Sequence, residues 1–542
     1  MLAQLQGGFV LSFSRMTSFL SPCSQWPSSW PTLPVQSSPG MAQEGDPYHC
    51  LLAACQQMAR ARGVPQVLSL SRCIPGLDPL VVLAQVLGCK DRCGLQDPSY
   101  CYLAHTTHHS TVRVLGLGSR RRVYLLGKGR FQAARAFVEE LRPHVHAEAG
   151  GWGSAALTQQ EQERPLCFSR FSFSPERACG LAALLVLPEW QIWQEQRGTG
   201  SGLKGSQTVV RFNLEVRPES DLAALGTRIH HFFAHMAGLS QQRLPCWKLP
   251  APLRVEVDQP ALLARIAKAV QAIRSGSLEK VVLAEAVDLS LATPPPIPTV
   301  LAYLEQRYVG CSVFAFAEGI SPREAWPLGG QGEPFYSPER VFLGASPERL
   351  LSVWQGQIQI DALAGSVARG ETVSQDQALA RQLLQSSKDR QEHQLVVQSV
   401  AEALRQVGIQ PHIPSQPRLL QLANIQHLQT LIQAEMPPDL HLFDLLACLH
   451  PTAAVGGYPR QAAVDWIAAT EPFDRSGYAA PLGWVDLQGN GEFVVAIRSA
   501  LLCGNRARLY AGAGIVADSC PEQEVAEIRL KLQSLAQALA IR

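Results

Sequence analysis

The 542-residue sequence carries no excess of charge of either sign. Lys and Arg number 47, Asp and Glu number 45, and charged residues make up only 17%. That balance supplies no basic field for nucleic acid and no acidic tail. Long hydrophobic runs are missing too. The longest, around Leu181 to Leu187, is cut by Pro188 and falls far short of the ~18–20 residues that a membrane span needs. The 14 cysteines are scattered from Cys23 to Cys520, too thinly for a disulfide framework, so a reducing cytoplasm is expected. Cys89 and Cys93 have no second pair at metal spacing, which argues against zinc. His105, His108 and His109 read as an exposed polar loop rather than ligands. No Gly-rich strand-to-helix phosphate loop occurs. Residues 1–43 contain no Asp or Glu and a single basic residue, Arg15. They read as a disordered extension, with Met41 as an alternative start; a weak transit peptide for plastid import is the alternative, resting on a single Arg.

What remains is 46% hydrophobic, enough to build a large core. From about Asp46 short helices are expected at CLLAACQQMARARG, PLVVLAQVLG and GRFQAARAFVEELRPHV. Strands are expected at QVLSLSRCIP, 111–117, 122–126, 168–173, 182–187 and 209–214, with 198–205 as a surface turn or loop. Strands outnumber helices and no βαβ rhythm appears, so the chain reads as α+β with antiparallel sheets. Divisions are expected at 1–43, 44–250 and 251–542.

The second half carries the more telling stretches. Residues 374–407 contain no Pro or Gly and read as one helix. Leu395, Val396, Ser399, Val400, Ala403, Leu404 and Val407 recur at three- and four-residue steps. Glu392 continues that apolar face backwards, four residues before Val396. A carboxylate there needs a cation, an Arg or Lys partner, or an escape to water. Lys280 opens the β-prone run KVVLAEAVDLSL, where a surface lysine is the commoner case. Glu348 follows a tight bend between Gly344 and Pro347. Gly365 and Ser366 offer backbone N–H groups and a hydroxyl to an anion. FVVAIRSALL alternates as a strand, placing Arg498 on one face with Val494, Ala496 and Ala500. LYAGAGIV is a glycine-rich strand open to close approach. The final helix starts near Pro521 with the stripe Val525, Ile528, Leu532, Leu535 and Leu539. Glu524, Glu527 and Lys531 flank the stripe, a spacing equally typical of exposed helix decoration.

KVVLAE (280–285), GASPE (344–348), LAGS (363–366), SSKDRQEH (386–393), LHPTAAVGGYPR (449–460), EPFDRSGYAAPLGW (471–484), AIRSA (496–500), YAGAGIV (510–516) and CPEQEVAEIRLK (520–531) together resemble the chorismate-utilising enzymes. That family includes isochorismate, salicylate, anthranilate and aminodeoxychorismate synthases. The resemblance implies a single α+β unit of two large antiparallel sheets packed together, with helices outside and an active-site cleft. It also implies Mg²⁺. By motif, Glu392 and Glu527 match the carboxylates that hold the metal, with Glu524 close by. Gly365, Ser366, Arg498, Gly512 and Lys531 match groups that bind the substrate's anionic ends, and Ala454 and Val455 the segment beside the substrate. Lys280 matches the lysine that activates water, and Glu348 matches the general acid.

The reaction so implied is attack of water at C2 of chorismate, a double-bond shift, and loss of the C4 hydroxyl. This is isochorismate formation, serving menaquinone or phylloquinone, siderophore or salicylate synthesis. Salicylate synthase, which then eliminates pyruvate, is the alternative. An ammonia-using synthase fits less well, given Lys280 and the pair Ala454–Val455. The expected partner is chorismate, with no nucleic acid, no membrane and no glutaminase subunit. Three departures stand out: Glu285 where relatives usually carry Arg, Ala453 in place of Pro, and Val525 in place of Trp. The odd separation of Glu285 from Lys280 puts it on the other strand face unless a bulge intervenes.

Overall fold

The computed structural model describes residues 48–540, apart from 90–92, 94, 96, 98, 108–109, 150–163, 176–180, 200–201, 247–252, 319–339 and 424. The expectations for residues 1–43, His108 and His109 lie outside the described residues. Two sheets dominate. A twelve-stranded sheet runs Gly457–Tyr458, Lys280–Ser290, Arg506–Ile515, Ser499–Cys503, Arg340–Ser346, Ser312–Glu318, then Tyr100–Thr106, Ser110–Leu117, Trp190–Thr199, Gly202–Val216, Gln66–Cys73 and Val145–Ala149. A nine-stranded sheet runs Arg418–Gln421, Ile425–Glu435, Gln357–Ala368, Arg349–Trp354, Gly491–Val495, Pro481–Asp486, Leu166–Phe171, Ala183–Leu187 and Arg121–Leu125. Neighbours pair antiparallel, apart from the parallel pair Gln66–Cys73 and Val145–Ala149.

Period-two alternation explains how the sheets pack. Cys101, Leu103, Val114, Phe314, Phe316 and Phe342 of the large sheet meet Leu166, Phe168, Leu184, Val186, Leu482, Trp484 and Val494 of the small one. Their sequence neighbours Tyr100, Tyr102, Val313 and Ala315 join instead the core that includes the outer helices. The expected α+β fold of two packed antiparallel sheets is therefore present.

Most expected elements are found near their expected bounds, including the helices His49–Arg62, Pro79–Gly88 and Arg130–Leu141. Beside His105, which lies in the strand Tyr100–Thr106 with its Nδ1 3.0 Å from Ser312 Oγ rather than in an exposed loop, three expectations need correction. First, 374–407 is not one helix. It divides into Val373–Gln385 and Ser387–Gln406 at Ser386, whose extended backbone (ψ 116°) and side chain cap the second helix by accepting from the Asp389 N–H at 3.2 Å. Second, FVVAIRSALL is not one strand. Gly491–Val495 belongs to the small sheet and Ser499–Cys503 to the large one. Arg498 makes the crossing with φ 50°, so the shared face inferred for Val494, Ala496, Arg498 and Ala500 does not exist. Third, 198–205 is not an open loop, because Gly198 pairs with Leu203 and Thr199 with Gly202 at the tip of a long hairpin.

Candidate active site

Lys280 begins its strand one place in from the end of the large sheet. It is 1% exposed, and its Nζ lies 3.0 Å from Glu392 Oε1. The carboxylate on the apolar helix face and the lysine at the strand start are thus each other's partner. Gly514 on the neighbouring strand makes room for both. A Cβ there would collide with Glu392 Oε1 and stand 3.0 Å from Lys280 Cε. Glu285 faces the other way. The register from Val281 to Ser290 is unbroken, and Glu285 pairs with Arg265 on the outer helix Gln259–Arg274. The parity argument holds, and no bulge turns Glu285 toward Lys280.

Helices Ser387–Gln406 and Pro521–Leu539 roof a cavity of about 420 Å³ over the ends of the two sheets. Its lining includes Ser366, Lys388, Asp389, Glu392, Glu524 and Glu527. Burial, with the neighbouring Glu527 charge, pushes the Glu524 carboxyl up despite its bond from Lys388 Nζ at 3.0 Å. Burial also raises Asp389, and the charges of Glu392 and Glu527 add to it. Burial would raise Glu527 as well, but Lys531 and a hydrogen bond from Ser366 more than reverse this and hold it low. Among the described residues, no three His, Cys, Asp or Glu side chains already converge on a metal position. The donor set is carboxylate oxygen, with Asp389 crowded beside Glu392, Glu524 and Glu527, each of which a lysine already partners. This suits Mg²⁺, which takes one or two carboxylates and fills its remaining positions with water or substrate oxygen.

Two sheet-to-sheet crossings supply the rest. Glu348 lies on the link from Arg340–Ser346 to Arg349–Trp354, and Arg498 on the link running back. The links are tied together. Val495 N donates to Glu348 O at 3.1 Å, Ser346 Oγ to Val495 O at 2.6 Å, and Ala345 N to Arg498 O at 3.2 Å. Burial pushes the Glu348 carboxyl up to about 8, against the opposing pull of Lys280. Arg498 Nη2 contacts His427 Nε2 at 2.8 Å, while its buried Nη1 has no partner among the described residues. Burial, Arg498 and Lys531 hold His427 well below the usual imidazole range. A neutral His427 accepts from Arg498 at Nε2 and bonds the Gly365 backbone from its other side. Gly365 itself has φ 73° at a bulge where the register shifts between Ala364 and Ser366. An orphaned donor on a held arginine is what an anionic ligand would satisfy.

The other proposed binders are partly occupied within the protein. Lys531 Nζ donates to Gly512 O at 2.7 Å and to Glu527 Oε1 at 2.7 Å. Gly512 is hemmed in by the Leu283 carbonyl and the Tyr478 hydroxyl. Ala454 and Val455 do not line the acidic cavity; they sit in the turn whose Gly456 O accepts from Val282 N at 2.9 Å. Lys388, Asp389 and His427 were not assigned roles from sequence. Lys388 and Asp389 lie inside the stretch SSKDRQEH, but nothing in their spacing separates them from ordinary first-turn residues. His427 sits in a strand with no local motif.

A family model for chorismate binding enzymes matches residues 53–322 and 334–540. The salicylate biosynthesis isochorismate synthase of Pseudomonas aeruginosa is 42% identical over 277 residues, 51% of this chain and 54% of that protein. The isochorismate synthase MenF of Bacillus subtilis is 38% identical over 284 residues, 52% of this chain and 56% of that protein. The chain thus matches about half the length of these curated relatives. The solved structure of MenF, the menaquinone-specific isochorismate synthase from Escherichia coli, superposes with a TM-score of 0.65 at 27% identity. That superposition covers 90% of this chain and 99% of the other. Anthranilate synthase component I from Streptococcus pneumoniae, at 18% identity and a TM-score of 0.56, shares the fold.

Proposed function

Since the chain belongs to the chorismate-binding enzymes, we propose that it converts chorismate to isochorismate. One observation carries this reading above the rest: a lysine buried to 1% beside an acidic cavity, with a carboxyl held protonated up to about pH 8 on the adjoining crossing. Water attacks C2, and Lys280 takes its proton. The ammonium so formed is met by Glu392 at 3.0 Å. The ring double bond shifts, the C4–O bond breaks, and Glu348 delivers its proton to the departing oxygen. One water enters and one leaves, so the reaction is an isomerisation.

Arg498, with its unpartnered Nη1, binds a carboxylate of the substrate, and His427 holds the guanidinium in place. Glu392 and Glu527 hold Mg²⁺, with Glu524 and Asp389 beside them. When bound, the ion supplies positive charge against the ring carboxylate. No helix among the described residues is long and apolar enough to cross a membrane. No disulfide joins the described cysteines, which suits a reducing cytoplasm. The product would enter a quinone, siderophore or salicylate route.

The test is incubation with chorismate and Mg²⁺, with the products separated by chromatography. Isochorismate alone is expected. Salicylate with pyruvate would replace this reading by salicylate synthase, and no turnover would remove it.

A further inference from the structure

We propose that Glu471 and Arg475 are positioning residues that stand in for a missing strand and fix the placement of Lys280 against the Ala454–Val455 turn. This rests on the isochorismate-forming reading only for what Lys280 does; the geometry is independent of it. Strand Lys280–Ser290 has a long partner on one side, Arg506–Ile515. On the other side Gly457–Tyr458 pairs with Lys280 and Val281 only. Gly456 O takes the Val282 N–H at 2.9 Å. Past that point the ladder would leave buried groups open, and buried backbone groups need partners.

Two side chains supply them. Glu471 Oε1 accepts from Ala284 N at 2.9 Å, and Arg475 Nη2 donates to Val282 O at 2.7 Å. The same guanidinium donates from Nη1 to Val455 O at 2.8 Å. It closes on Glu471 through Nε at 2.8 Å and Nη2 at 2.5 Å. Arg475 therefore clamps the Lys280 strand and the turn to one rigid plane. Its cation also lies 4.4 Å from the Phe173 ring centroid. Both side chains are at most 2% exposed.

A buried pair of this kind is poor value as a stabiliser, because desolvation offsets most of the attraction. Its geometry has a clearer use. A one-residue slip of the strand would turn Lys280 to the outer face, where Glu285 now meets Arg265. Holding both Val282 O and Ala284 N prevents that slip. Holding Val455 O from the same group keeps the turn at a set distance from Lys280.

Stability and positioning separate in a three-variant comparison of the full chain. Arg475→Met strands a buried Glu471 and should lower the melting temperature sharply. The double variant Glu471→Leu, Arg475→Met removes both charges and the acceptor for Ala284 N, and should recover most of that loss. Arg475→Lys keeps the charge but cannot span two carbonyls. In the double and Lys variants kcat should fall about 10- to 100-fold, the cost of a misplaced reacting group. KM for chorismate should stay within about threefold. By hydrogen exchange, the Ala284 amide should lose protection in the double variant while Leu283, bonded on the opposite edge, keeps it. If the double variant regains kcat along with its melting temperature, or Ala284 protection is unchanged, the pair is only structural and the proposal falls. A wild-type chain that does not turn over chorismate would remove the functional reading. The exchange arm would then still decide whether the pair replaces a strand.

Discussion

Lys280 and Glu348 are each assigned one half of a proton balance, so their loss should look different. Lys280→Ala should lower kcat by about 10²- to 10⁴-fold, the usual contribution of a positioned base. Chorismate binding should change little, since Arg498 stays held by His427. Single-turnover rates alongside binding titrations would check this; near wild-type turnover would take the base role away from Lys280. Glu348→Gln cannot deliver a proton, and in the wild type that proton is held up to about pH 8 by burial. Turnover in the wild type should therefore decline as pH passes about 8. The same shift has a stability sign. A carboxyl whose folded value is raised contributes stability fully present below its ordinary 4.5 and lost as pH rises through about 8. Denaturant melts across that range should show the wild type losing stability relative to Glu348→Gln. A flat difference would mean Glu348 is ionised in the folded state. At this scale much was legible. Strand parity alone placed Glu285 opposite Lys280, and the stripe of Val396 and Val400 placed Glu392 inward. That Lys280 is itself the partner of Glu392 was not legible, because the two come from different layers and meet only through Gly514.

Two helices, Ser387–Gln406 and Pro521–Leu539, bring the acidic groups to one cavity. Glu392→Ala or Glu527→Ala should abolish Mg²⁺-dependent turnover, and the rise in melting temperature on adding Mg²⁺ should vanish with it. Calorimetry with Mg²⁺ alone would check the second point without substrate, and an unchanged melting response would move the metal elsewhere. The first helix also depends on its start. Ser386→Ala removes the cap on the Asp389 N–H and should cost about 1 kcal/mol in chemical melts. It should also loosen the turn that aims Glu392. That break was hidden in the sequence, since no Pro or Gly marks Ser386 and capping won over continuation. The split of FVVAIRSALL was hidden for a related reason. Alternation persists along the chain while the φ of Arg498 redirects it from one sheet to the other. Long periodic elements such as Lys280–Ser290 and Pro521–Leu539 were legible from their own residues. The bend before Glu348 was legible from Gly344 and Pro347, but the crossing at Arg498 was not, because what bends it is tertiary.

Both sheets mix strands from the two parts of the chain. Ser312–Glu318 pairs with Tyr100–Thr106 in one, and Pro481–Asp486 with Leu166–Phe171 in the other. A fragment of residues 251–542 would expose both of those edges. It should aggregate and show no turnover, by light scattering and product assay; a monomeric, active fragment would show that the matched motifs fold alone. The same interleaving bears on how the molecule is born. Lys280 pairs with Tyr458, the next residue Val281 pairs with Ile515, and the helix roof is complete only once Glu527 has been made. Translation at roughly 5–20 residues per second leaves on the order of ten seconds or more between Lys280 and Glu527. Throughout that interval the nascent protein has a lysine but no cleft around it. On the proposed assignment turnover has to wait for the last helix, and a chain that ends before Glu527 should be inert.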